Sequence, residues 1–209
     1  MLPCKGCCIM KKSIMCLLVM AALPAFAASP ASPQTIKNLN AAFQGESNAS
    51  NRYAAFAKKA DSEGLAQVAK LFRAASAAEA IHRDTHKAAI VELGGAVESF
   101  KLDDVKPGTT AENLKAAIKG ETHERDTMYP EFLAAAKTDD AKAAIRTFQF
   151  ALAVEKQHAA LYQNALDHLG KNAPEDYFVC QICGSTLTAL PDKKCPICRK
   201  GRDEYKKIA

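Results

Sequence analysis

Two tetrapeptides of the form Glu-x-x-His, Glu79-Ala-Ile-His82 and Glu155-Lys-Gln-His158, fall on the apolar stripes of two helical segments. The first stripe reads Val68, Phe72, Ala75, Glu79, His82, His86, Ala89. The second reads Ile145, Phe148, Leu152, Glu155, Ala159, Tyr162, Leu166, with His158 beside it. Two more stripes carry the same anomaly: Leu39, Phe43, Glu46, Ser50, Tyr53, and Leu114, Ala117, Glu121, Glu124, Met128. Apolar residues at this spacing mark the face a helix buries, so each helix turns a glutamate inward. One unpaired ionised carboxylate in a low-dielectric interior costs several kcal/mol. A domain's net stability is only about 5–15 kcal/mol. Five glutamates facing one another therefore require positive charge between them.

Two divalent irons nearly compensate five carboxylates, and so does an oxidised, oxo-bridged pair. In Glu-x-x-His, residues i and i+3 share a helix face, so a carboxylate and an imidazole can grip one metal. A glutamate from each of two helices plus Glu-x-x-His from the other two is the di-iron carboxylate pattern of ferritin-like bundles. Oxygen-rich ligation with some imidazole suits iron or manganese better than zinc alone. The candidate ligands are Glu46, Glu79, His82, Glu121, Glu124, Glu155 and His158. Glu124 can also be read as solvated helix charge, because Glu121-x-x-Glu124 is an ordinary surface spacing. His86 and His123 have no counterpart in the other half of the chain and read as residues beside the ligand set or at the surface. Tyr53 and Tyr129 read either as core aromatics or as hydrogen-bond donors to the site.

The helices themselves are legible from their ends. Helix A is expected from about Pro33 to Ser62, stopped near Gly64, and helix B from near Leu65 to just before Gly94-Gly95. Helix C begins at a Thr109/Thr110 cap with Glu112 in its first turn, is kinked by Pro130, and ends near Lys137. Helix D is expected from Asp139 or Asp140 to a closing Gly170. Four long helices with modest connections predict a bundle over residues 33–170. Gly45-Glu46-Ser47 recurs as Gly120-Glu121-Thr122, and the two Glu-x-x-His motifs begin at 79 and 155, offsets of 75 and 76. The halves read as copies of one helical hairpin related by an approximate twofold axis.

Outside the bundle the chain changes character at both ends. Residues 1–27 hold Lys5, Lys11 and Lys12 and no acid, followed by an apolar run from Ile14 to Ala28 and the small-x-small pattern Ala25-Phe26-Ala27. That order predicts a cleavable signal peptide over 1–27 and an exported, periplasmic protein. A membrane anchor is the other reading, but a spanning helix needs about 20 apolar residues. The net charge of +5 then falls to +2, from 25 Lys and Arg against 23 Asp and Glu. A nearly neutral body with no Lys/Arg run argues against a nucleic-acid surface. Cys4, Cys7, Cys8 and Cys16 leave with the leader, whereas Cys180, Cys183, Cys195 and Cys198 stay. Residues 177–209 place these four in two C-x-x-C knuckles able to enclose one tetrahedral metal, which supplies stability that so small a segment lacks. Spacing alone favours a zinc ribbon, and export adds the alternative of two disulfides. The neighbouring di-iron pattern favours a redox-active Fe(Cys)4 centre.

These features together resemble the rubrerythrins from about Pro33 onward. The resemblance rests on Gly45-Glu46-Ser47 with Arg52-Tyr53 and Phe56-Ala57, Glu79-x-x-His82, Glu121-x-x-Glu124 before Met128-Tyr129-Pro130, Glu155-x-x-His158, and the four C-terminal cysteines. It implies an all-α, ferritin-like four-helix bundle with a small C-terminal rubredoxin-like metal-binding domain. The implied activity is reduction of hydrogen peroxide to water, with electrons from a NADH-linked or other donor. The implied cofactors are two irons in a carboxylate site, with Glu79 and Glu155 bridging, and one iron in the Cys4 site. One iron would exchange His82 for Glu124 on oxidation, and Tyr53 and Tyr129 match family tyrosines near the site. The resemblance further implies a homodimer in which the rubredoxin-like centre of one chain approaches the di-iron site of the other. The alternatives are a ferroxidase that handles iron and a non-enzymatic zinc protein. Two departures stand out: most relatives look cytoplasmic, and Arg199 follows Cys198 where a small residue is usual.

Overall fold

The computed structural model describes residue 1 and residues 32–209; the leader reading and the first four cysteines lie outside the described residues. Helix α1 runs Pro33–Ser62, α2 Ala66–Glu92, α3 Thr110–His123, α4 Tyr129–Thr138 and α5 Lys142–Asp167. Ser32 caps α1 by accepting from the Thr35 N–H, with Pro33 in the first turn, where a missing N–H costs nothing. Thr109 and Glu112 form a reciprocal capping box on α3. The Glu63 carboxylate at the end of α1 accepts from the Thr110 N–H at 3.0 Å, tying the two hairpins together.

The third expected helix is divided. Between α3 and α4 lies a π-helical turn, Glu124–Met128, in which the Tyr129 N–H reaches back to the Glu124 carbonyl. Pro130 follows at once and has no N–H to give, so the wider turn absorbs the break rather than a simple kink. The last helix also starts later than its sequence suggests. Asp139 closes α4, Asp140 sits at φ 48, and α5 begins only at Lys142. Asp139 is held instead by the hydroxyls of Ser32, through a short contact, and Thr35 at 2.5 Å. Those bonds keep its carboxyl below the usual range. Gly170 takes φ 79 three residues beyond the end of α5.

The bundle has two apolar ends and a polar waist. One end packs Tyr53, Phe56, Leu71, Phe72, Leu114 and Tyr162; the other packs Leu39, Ile90, Tyr129, Leu133 and Phe148. The glutamates of α1, α2, α3 and α5 lie between these clusters along each helix. Burial of the two ends, at roughly 25 cal/mol per Å² of apolar surface, holds the waist in place.

The C-terminal module is a three-stranded antiparallel sheet in the order β2-β1-β3, from β1 Tyr177–Cys180, β2 Thr186–Leu187 and β3 Tyr205–Ile208. Phe178 pairs with Leu187, and Cys180 with Tyr205. Tyr177 and Val179 complete the first apolar end of the bundle. The linker is led back onto α2 by Gln67 and Lys70, which bond the Glu175 carbonyl, and the Arg73 guanidinium holds the Ala209 carbonyl at 2.7 Å.

Candidate metal centres

Glu46 of α1, Glu79 and His82 of α2, Glu121 of α3, and Glu155 and His158 of α5 are all buried. Their ligand atoms form two groups, Glu46–Glu79–His82–Glu155 and Glu79–Glu121–Glu155–His158, each within 4.8 Å. Glu79 and Glu155 belong to both. Each spans the pair by giving one oxygen to either side. Glu79 Oε2 lies 2.8 Å from His82 Nδ1 and Oε1 lies 2.9 Å from His158 Nδ1. Glu155 Oε1 lies 3.2 Å from His82 Nδ1 and Oε2 lies 3.2 Å from His158 Nδ1.

The unsatisfied atoms show what this waist is built to hold. Among the described residues Glu46 Oε2, Glu79 Oε1, Glu121 Oε2, both Glu155 oxygens and His158 Nδ1 are buried without a hydrogen-bond partner. Each such atom costs about 1–3 kcal/mol, and all of them converge on the space between the helices. Carboxylate oxygens with two imidazole nitrogens fit a pair of divalent irons. In their absence burial and the Glu124 charge push Glu46 well above the ordinary carboxylate range, and burial and the Glu79 charge do the same to Glu155. Burial works against Glu79 too, but His158 and His82 overcome it and hold Glu79 at about 2.

Of the remaining oxygens, Glu79 Oε2 faces His82 Nδ1 and the other two are held by tyrosines. Tyr53 donates to Glu121 Oε1 at 2.5 Å, and Tyr129 donates to Glu46 Oε1 in a short contact. Tyr53 and Tyr129 stand 76 positions apart, so the internal repeat extends to them, each half's tyrosine bonding the other half's glutamate. Glu124 sits half-buried in the π-helical turn, and its carboxylate joins neither ligand group. The structure holds the arrangement in which His82 occupies the position. His123 is exposed, whereas His86 is fully buried. Burial and the nearby His82 hold the His86 imidazole well below its ordinary value, hence neutral.

At the far end of each imidazole stands the C-terminal module. His82 Nε2 faces the Cys183 carbonyl at 3.2 Å, and His158 Nε2 faces Thr186 Oγ1 at 3.1 Å. These bonds fix Nδ1 of both rings toward the carboxylates. Neither Thr186 nor a peptide carbonyl carries a spacing signal, so sequence reading had no means of finding them. The module meets the bundle of its own chain through these two bonds. Its short linker, held by Gln67 and Lys70, directs it there.

Cys180, Cys183, Cys195 and Cys198 form a third group. Their sulfurs approach at 3.7 Å (Cys180–Cys198) and 3.6 Å (Cys183–Cys195), and all four are free thiols. A disulfide needs about 2.05 Å, whereas a tetrahedral metal with bonds of about 2.3 Å separates its sulfurs by about 3.8 Å. The set fits a metal and not two disulfides. The Cys183 thiol and, against burial, the N–H groups of Ile182 and Cys183 bring Cys180 down to about 5, near the thiolate a metal requires. The knuckles match: the Gly184 N–H bonds the Cys180 carbonyl at 2.9 Å and the Arg199 N–H bonds that of Cys195 at 3.1 Å. Gly184 takes φ 76 and Arg199 φ 65. Arg199 therefore bears a left-handed strain of about 1–2 kcal/mol that glycine avoids.

Gly184 is also pinned from the bundle side, since a Cβ there would lie 2.6 Å from His82 Nε2 and 3.3 Å from the Ala78 carbonyl. Gly184→Ala thus combines backbone strain with a clash that parts Cys183 from His82. Scanning calorimetry of the zinc-loaded variant is expected to read a melting temperature about 4–8 °C lower, for about 2 kcal/mol.

A family model described as rubrerythrin matches residues 37–166. Nigerythrin of Nitratidesulfovibrio vulgaris is 34% identical over 173 residues, covering 82% of this chain and 85% of that protein. Rubrerythrin-2 of Clostridium acetobutylicum is 34% identical over 172 residues, covering 80% and 92%. Among solved structures, fully reduced, all-ferrous nigerythrin superposes with a TM-score of 0.76 at 29% identity, covering 95% of this chain and 100% of that one.

Proposed function

The chain belongs to the rubrerythrin family, with the donor sets of a di-iron carboxylate site and a Cys4 site, and from that premise we propose that it is a peroxidase. It reduces hydrogen peroxide to water in defence against oxidative stress, H2O2 + 2 e⁻ + 2 H⁺ → 2 H2O, with electrons delivered by way of the Cys4 module. The observation that carries this reading is the single hydrogen bond from His82 Nε2 to the Cys183 carbonyl. It joins a ligand of one centre to the backbone of a ligand of the other, a connection that an iron-storing ferroxidase does not need.

In this reading Glu46, Glu79, His82, Glu121, Glu155 and His158 hold the two irons, which when bound supply two electrons and Lewis acidity to the peroxide. Glu79 and Glu155 set their spacing by spanning both positions. Tyr53 and Tyr129 fix the Glu121 and Glu46 carboxylates by one oxygen each and leave the other free to bind. The aromatic ends of the bundle exclude water, so the charges in the waist act in a low dielectric. Glu124, in the π-helical turn that follows Glu121, stands near enough for its charge to raise the Glu46 carboxyl. The leader proposed for residues 1–27 puts the activity in the periplasm, with a donor from that compartment.

Stopped-flow mixing tests the reading. Diferrous protein is expected to be oxidised by peroxide far faster than by air-saturated buffer, and an electron donor restores turnover. Equal rates with peroxide and air overturn it in favour of iron handling.

A further inference from the structure

Where α2 meets α5 the internal repeat is broken by polar residues. His86 and Thr85 on α2 correspond, 76 positions on, to Tyr162 and Leu161 on α5; Thr147 on α5 corresponds to Leu71 on α2. The α2–α5 pair therefore carries Thr85, His86 and Thr147 on one side of the waist where the repeat places Leu161, Tyr162 and Leu71 on the other. The tyrosine side ends blindly, because the Tyr162 hydroxyl is buried without a partner. The histidine side is continuous. Tyr129 donates to Glu46 Oε1, His86 Nε2 lies 3.0 Å from the Tyr129 oxygen, and His86 Nδ1 lies 3.0 Å from Thr147 Oγ1.

The directions of these bonds follow from counting hydrogens. Tyr129 has one proton and gives it to Glu46, so it must accept from His86 Nε2–H. His86 Nδ1 is then the bare nitrogen and accepts from the Thr147 hydroxyl. That hydroxyl has a second acceptor in Thr85 Oγ1 at 2.8 Å, so its rotation opens or closes the chain. Thr85 and Thr147 both line a cavity of about 480 Å³ at the seam between bundle and module, with Arg146, Phe150, Cys198 and Lys200.

We propose that Thr147, His86 and Tyr129 form a proton relay from this cavity to the Glu46 carboxylate. The inference rests on the peroxidase reading, whose reaction consumes two protons in a waist that the apolar ends seal from water. In each passage the Thr147 proton moves to His86 Nδ1, the Nε2 proton to the Tyr129 oxygen, and the Tyr129 proton to Glu46 Oε1. Thr147 regains its proton from water in the cavity. His86 starts and finishes neutral, with its proton on the other nitrogen, so one passage delivers one proton, and proton exchange with water restores the Nε2–H tautomer between turnovers. The relay is one-sided, so protons arrive at the Glu46 end and not at the Glu121 end.

Two measurements on the full chain test it. Stopped-flow oxidation of the iron-loaded protein by peroxide is expected to slow by about 100-fold in Thr147→Val and in His86→Gln, the lower end of what positioned proton transfer contributes. Glutamine can keep the contacts of His86 but cannot pass a proton through its amide. Thr147→Ser, which retains the hydroxyl, is expected to restore the rate. Wild-type rates in the first two variants, or no restoration by serine, overturn the relay. Independently of turnover, ¹⁵N NMR of the zinc-loaded protein is expected to show His86 protonated on Nε2, with an Nδ1 resonance that moves in Thr147→Val. Protonation on Nδ1 overturns it. If peroxide oxidises wild type no faster than air does, the peroxidase reading falls, and the tautomer with its dependence on Thr147 still decides whether the wire exists.

Discussion

Protein dialysed free of metal is expected to melt about 10–20 °C below the reloaded protein. Buried charge left without its counter-charge costs several kcal/mol, and in a chain of this size each kcal/mol is worth about 2–4 °C. The sign of the accompanying pH dependence is fixed by the groups in the waist. Burial and like charges push Glu46, Glu124 and Glu155 above the ordinary carboxylate range. Against burial, Glu79 holds His158 and His82 above the ordinary imidazole range. In all five the folded state binds protons more tightly than the unfolded one, so their contribution is complete at low pH and is lost as pH rises through the raised values. His86 and Glu79 work the other way, but Glu79, held at about 2, titrates far below neutral pH, and His86 is one group against five. The stripped protein is thus expected to lose stability between pH 6 and pH 8. The loaded protein gains over the same range, because metal competes with those protons. Calorimetry at the two pH values checks both signs, and equal melting of stripped and loaded protein at pH 8 refutes the electrostatic account of the waist.

The ligand set was readable because a glutamate on an apolar stripe is a physical contradiction that a cation resolves, and four helices repeated it. The ends of α1 and α2 were readable from Pro33, Gly64 and Gly94. What was not readable has physical reasons. The π-helical turn before Pro130 depends on which carbonyl a single N–H reaches, which no periodicity records. Asp139 looked like a helix start because an aspartate is a good cap, yet tertiary bonds to Ser32 and Thr35 claim it. His86 and Thr147 lie 61 positions apart and meet only in the fold. Glu124 lies on the same stripe as Glu121, but the π-helical turn rotates it partly out, so its membership could not be settled by spacing.

The largest loss of function is expected from Glu79→Ala. Glu79 serves both metal positions, so its removal empties the bundle of iron. Glu46→Ala and Glu121→Ala each strip one position and leave the other with its bridging carboxylates. Partners beyond the ligand shell already cost 10- to 100-fold in affinity, so peroxide-driven oxidation in Glu79→Ala is expected to fall by more than about 100-fold. The Cys4 module contributes its own stability, hence the colour of its iron is retained. Iron analysis alongside the visible spectrum separates the two sites. Full iron content in the bundle of Glu79→Ala, with undiminished oxidation, refutes the bridging role.

The bundle is nearly symmetrical, but the module that caps it is not. His82 gives its outer N–H to the Cys183 peptide carbonyl, a strong and immobile acceptor, whereas His158 gives its own to the Thr186 hydroxyl, which is itself committed to the Gly184 carbonyl at 3.0 Å. A better acceptor makes an imidazole a richer donor to its metal. Two sites that the repeat would make twins are therefore unequal. An iron held by His82 would be the more readily oxidised of the two.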